Sequence, residues 1–176
     1  MQETSTTCGD FARLTPGAVQ RILRKLNIRG TGMSTKSAAP TVVTHVDGEK
    51  FAIRIRSHEI FVDQTLKGGG DDTAPTPIEL LGAALGSCIA YYVRQFLRTR
   101  ELPTEGLRVA VVQNKAVNPT RVEEFLVNVM LPAEIPASYL AMIERVIHAC
   151  PAHNTLSLGA RLSVTHEIPT PAEAFI

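Results

Sequence analysis

Two thiols, Cys88 and Cys150, and two histidines, His148 and His153, are the residues of this chain best suited to redox, nucleophilic or metal chemistry. The thiolate is the nucleophile, so each cysteine is judged by what would ionise it. Cys150 is expected at the C-terminus of a helix, where the negative dipole end disfavours a thiolate and suits the residue to resolving rather than attacking. Cys88 is expected near mid-helix and gains little from either end, so a low pKa there would require a nearby cation such as Lys67, Arg54 or Arg56. Taken singly, each cysteine reads better as a small buried hydrophobe, and it is the pair that points to chemistry. His148, Cys150 and His153, with Cys88, are zinc-ligand types, but H-x-C-x-x-H across a helix end and a proline lacks the spacing of a zinc motif, so no metal is expected. Cys8, beside Gly9 in a polar stretch, reads as an incidental exposed thiol. The chain has neither a G-x-S-x-G elbow nor a basic aromatic platform for nucleic acid.

The helix that carries Cys88 has a marked start. Thr76 is the expected N-cap, Pro77 the first helical residue and Glu79 the third, a T-x-x-E capping box. Leu81, Leu85, Cys88, Tyr92 and Phe96 then follow 3- and 4-residue spacing to about Arg100. Gly82 and Gly86, each costing about 1 kcal/mol of helix propensity, keep the surface low, so a neighbour must approach closely. A second helix opens at Pro136 with the stripe Leu140, Ile143, Ile147 and Cys150, and Pro151 ends it. Around these helices the period is two: Thr41 to Val46, Phe51 to Ile55 and Glu59 to Asp63 predict a small antiparallel meander. Leu107 to Val117 and Arg121 to Leu131 predict a hairpin through Asn118-Pro119, and Gly159 to Ile168 a last strand. Gly68-Gly69-Gly70-Asp71-Asp72 lacks the spacing and lysine of a phosphate loop and reads as a flexible connection.

Residues 1–40 form an expected extension: a helix with Val19, Ile22, Leu23 and Leu26 on one face, then a linker, ahead of a domain at 41–176. Residues 1–32 carry five basic and two acidic side chains, the remainder thirteen and fifteen. With 44% hydrophobic and 20% charged residues among 176, and a net charge of +1, the chain can build a core and has no general pull towards nucleic acid or membrane. No basic, apolar leader opens it, so a reducing, cytoplasmic setting is expected. The apolar stretch Leu80 to Val93 reads as a buried helix too short to cross a bilayer.

The run from Pro75 to Cys88 (PTPIELLGAALGSC), with Cys150-Pro151-Ala152-His153-Asn154-Thr155-Leu156, resembles the OsmC/Ohr family, the osmotically induced and organic-hydroperoxide-resistance proteins. The likeness extends in element order over about Thr41 to Ile168. It implies an α+β fold, with antiparallel sheets around the two cysteine-bearing helices, in an intertwined homodimer whose thiols lie near the interface. It also implies thiol-dependent reduction of an organic hydroperoxide, Cys88 attacking and Cys150 resolving, reset by a dithiol reductant with no bound cofactor. Peroxidases of the family carry a glutamate directly after the helix-opening proline, which holds an arginine against the attacking thiolate. Here Ile78 stands at that position, and Lys67 is the cation at a comparable distance before the helix. The P-x-E-L-L opening looks closer to a less characterised OsmC-like branch. The alternative is a non-enzymatic dimer that binds an apolar ligand between its helices, with both cysteines in the core.

Overall fold

The computed structural model describes residues 39–166, so the expected N-terminal helix and Cys8 lie outside the described residues. Val42–Arg161 forms one compact unit, and the fold is given for it. The chain enters on a three-stranded antiparallel sheet of order β1-β2-β3, formed by β1 (Thr41–Asp47), β2 (Lys50–Ile55) and β3 (His58–Val62). Gly48 at φ 49 turns the first hairpin. A single turn of 3-10 helix, Leu66–Gly68, precedes α1 (Pro77–Arg98).

Helix α1 begins where the capping box places it. Thr76 Oγ1 accepts from Glu79 N at 3.3 Å, and Glu79 Oε2 accepts from Thr76 N at 2.7 Å. These bonds satisfy two of the donors that a helix start leaves unpaired. The buried stripe is Leu85, Ile89, Val93, Phe96 and Leu97, one position round from the expected stripe. Leu81 is exposed and Cys88 sits on the shoulder, half-buried. Burying each of the large aliphatics contributes roughly 1.5–3 kcal/mol, which offsets the two internal glycines. At 22 residues α1 does have the length and composition of a membrane span, contrary to the expectation from Leu80 to Val93. Its apolar stripe is instead committed to protein, in a cluster with Ile143 and Cys150.

The partner that approaches α1 closely is the β4–β5 hairpin, β4 (Arg108–Val117) and β5 (Thr120–Met130), antiparallel with a bulge after Asn114. Val109, Val111, Phe125, Val127 and Val129 alternate onto the core face. After a 3-10 turn at Ala137–Tyr139 come α2 (Leu140–His148) and α3 (Pro151–Leu158), both against α1. Helix α3 is not among the elements expected from sequence, where Pro151 reads as a stop. Proline at the first helical position is equally a start, its missing N–H being one the helix cannot use. The expected last strand is also corrected. Residues 159–166 pair with no strand among the described residues, and Leu162 and Val164 stand 87% and 91% exposed. An alternating sequence becomes a strand only beside a partner edge.

Candidate functional site

Cys88 and Cys150, 62 residues apart, meet with their sulfurs 2.8 Å from each other, and both are free thiols. Cys88 is delivered by the shoulder of α1. Cys150 is delivered by the corner between α2 and α3, where its N–H donates to Ile147 O at 3.1 Å and its carbonyl accepts from Asn154 N at 3.0 Å. Cys150 is therefore not the end of a helical stripe; it is the N-cap of α3, in extended backbone at φ −64, ψ 126. The negative end of α2 and the positive end of α3 converge on it, so the dipole reasoning that set it apart from Cys88 does not hold. Exposure sets them apart instead: Cys150 is 0% exposed, whereas Cys88 retains accessible surface.

Burial pushes the Cys88 thiol above its usual range, and the neighbouring Cys150 sulfur reinforces this. Acting the other way is the Ala152 N–H, in the first turn of α3, which favours a thiolate on Cys88. No lysine or arginine among the described residues contributes. Arg54 pairs across its hairpin with Glu59 at 3.3 Å, and Lys67 lies on the exposed 3-10 turn. Ala152 is the contributor that sequence reasoning missed; reading Pro151 as a helix start would have found it.

His148 ends α2 and His153 lies in the first turn of α3, with ring centroids 4.9 Å apart and planes at 81°. Among the described residues no three His, Cys, Asp or Glu side chains gather as a metal cluster. A groove of about 540 Å³ runs between α1 and β4, floored by Gly82 and Gly86 and walled by Ala83, Val109, Val111 and Gln113. Neither cysteine lines it.

A family model described as OsmC-like protein matches residues 69–166, more than half of the chain and both cysteines. The chain belongs to the OsmC-like family. No curated protein matches it. Among solved structures it is similar to a candidate osmotic stress induced and detoxification response protein from Psychrobacter arcticus 273-4, with 22% identity and a TM-score of 0.62, covering 72% of this chain and 90% of that one. It is also similar to an OsmC like protein from Mycoplasma pneumoniae, with 18% identity and a TM-score of 0.57, covering 67% and 87%. At these identities the likeness establishes the fold: this is an α+β OsmC-like protein.

Ile78, where the resemblance leads one to expect a glutamate, is 40% exposed on the first turn of α1. The carboxylate one residue on, Glu79, is occupied at Thr76, whose N–H and hydroxyl hold it below the usual carboxylate range. A carboxylate so engaged serves the helix start.

Proposed function

We propose that this protein is a thiol-dependent peroxidase that reduces organic hydroperoxides through Cys88 and Cys150. The observation that carries the reading is the 2.8 Å approach of an accessible thiol to a fully buried one. The Cys88 thiolate attacks one peroxide oxygen and the O–O bond breaks. The departing alkoxide takes a proton and leaves as the alcohol, and Cys88 becomes a sulfenic acid. The Cys150 thiol then displaces the sulfenic hydroxyl as water, forming the Cys88–Cys150 disulfide, and an external dithiol returns both residues to thiols. Roles follow from access: only Cys88 can meet a substrate, and Cys150 is reachable only through it. The Ala152 N–H is the group in this chain that favours charge on the attacking sulfur. Apolar neighbours suit an organic peroxide better than a small polar one, since Leu85, Ile89 and Ile143 share the cluster around the pair.

The working unit in this proposal is a homodimer. Val43, Ile60 and Phe61 on the β1–β3 sheet are exposed in the single chain, Ile60 and Phe61 on opposite sides of it, and apolar surface of this kind is what a second copy covers. A second, non-enzymatic reading, a binder of an apolar ligand, is favoured by the α1–β4 groove, with its apolar wall at Val109 and Val111, and by the lack of a described cation at Cys88. Consumption of an organic hydroperoxide by a dithiol, followed for wild type, Cys88→Ser and Cys150→Ser, separates the two. The peroxidase reading requires turnover by wild type and none by Cys88→Ser. Cys150→Ser should take one round of oxidation and stop at a trappable sulfenic acid. No consumption by wild type would leave the binding reading.

A further inference from the structure

We propose that His148 and His153 form an open, two-imidazole site for a divalent transition-metal ion of the zinc, nickel and copper class at the corner between α2 and α3. The sequence spacing argues against a zinc motif, yet the corner overrides it. Helix α2 stops at His148, the chain turns through Ala149 and Cys150, and α3 restarts at Pro151, bringing the third residue of the new helix beside the last of the old one. The ring centroids stand 4.9 Å apart. A nitrogen bound at about 2.1 Å puts its ring centroid about 3.2 Å from the ion, so two imidazoles on one tetrahedral ion have centroids roughly 5 Å apart. The observed separation matches that of two imidazoles on one ion; it is also that of an edge-to-face ring pair, and metal titration tells the two apart.

A second observation concerns the tautomer. Asn154 Oδ1 lies 3.4 Å from His153 Nδ1, a contact that suits a ring proton on Nδ1 and leaves Nε2 as the candidate ligand atom. Bound histidines are held in this way, the far nitrogen donating to an oxygen while the near one ligates. Cys150, between the two histidines in sequence, is fully buried with its sulfur against Cys88, so the thiol is not a ligand. His148 is exposed and His153 half-buried. The remaining coordination positions therefore belong to water, and imidazole donors select zinc, nickel and copper over magnesium or calcium. An ion held there ties the end of α2 to the first turn of α3, the corner that presents Cys150.

The test is calorimetric titration of the full chain with Zn(II), on the reduced protein and on protein whose Cys88 and Cys150 are joined as a disulfide. The expected result is saturable binding of one ion in both forms and in Cys88→Ser/Cys150→Ser, weakened at least about tenfold by His148→Gln or His153→Gln. Shifts of the two imidazole nitrogen resonances on adding Zn(II) to wild type give the same answer with no variant. Absence of saturable binding, or of those shifts, overturns the site. So does binding that survives both histidine variants or disappears when the thiols are oxidised, which would put the ion on the cysteines or elsewhere.

Discussion

Gly86→Ala places a methyl group where α1 packs against the valines of β4. The new Cβ would lie 3.0 Å from Val111 Cγ2 and 3.8 Å from Val109 Cγ1. In open space the change would stabilise α1 by about 1 kcal/mol, the propensity difference between glycine and alanine. Val111 cannot easily give way, because it is β-branched and lies in β4 opposite Val127. Overpacking of this kind costs about 1–3 kcal/mol, so the net is a loss of about 1 kcal/mol, or roughly 2–4 °C in melting temperature for a chain of this size. Gly82→Ala is the internal control. Its Cβ would land on Gln113 Nε2, the far end of a flexible side chain that donates to Ile78 O at 2.9 Å. Swinging Gln113 away loses one hydrogen bond worth about 1 kcal/mol and gains about the same in propensity, so stability should hardly change. Thermal and urea unfolding of both variants, repeated in a Val111→Ala background, reads the contact directly. There Gly86→Ala should turn stabilising, a coupling expected of touching residues. If Gly86→Ala stabilises equally with and without Val111, the close approach of α1 to β4 is wrong.

Three further outcomes follow from the structure. Asp63, 2% exposed, accepts from Gln64 N, Thr73 N and Thr73 Oγ1, and these bonds, led by Thr73 N, hold its carboxyl below the usual 3.8. A depressed folded-state pKa contributes stability above the unfolded value that is lost as pH falls through the folded one, so the exchange protection of amides 64–73, relative to their intrinsic rates, should fall below about pH 4. Asp63→Asn should lower that protection at neutral pH, and unchanged protection would show that the Asp63 bonds to Gln64 and Thr73 do not hold the segment. Glu79→Gln should keep hydroperoxide turnover within about tenfold of wild type; a loss above about a hundredfold at unchanged melting temperature would make Glu79 catalytic. Since Cys88 is raised by burial and by Cys150, its alkylation rate should climb about tenfold per pH unit from 7 to 9. A rate already level at pH 7 would reveal a cation at the sulfur.

Where local chemistry decides the backbone, the sequence could be read. The capping box set the start of α1, the alternating runs set both described sheets, and two apolar stripes brought the cysteines inward. Three features escaped, each for its own physical reason. Pro151 ends one helix and begins the next, which moved Cys150 from a helix end to an N-cap. Periodicity alone placed Cys88 at the centre of its stripe, whereas the glycine face of α1 packs towards β4 and Cys88 lies on the shoulder, half-buried. Residues 159–166 alternate like a strand, but a strand needs a neighbour's backbone, which sequence does not contain. The two sulfurs 2.8 Å apart could not be derived from spacing; the paired family motifs were what placed them together.

The central claim is that Cys88 and Cys150 work as one redox pair, and it is tested most directly by adding one equivalent of an organic hydroperoxide to the reduced protein. Intact mass and peptide mapping should show loss of two hydrogens per chain, the Cys88 and Cys150 thiols gone together and a Cys88–Cys150 linkage, reversed by a dithiol. Two thiols that survive the oxidant, or a sulfonic acid on Cys88 with Cys150 untouched, would contradict it.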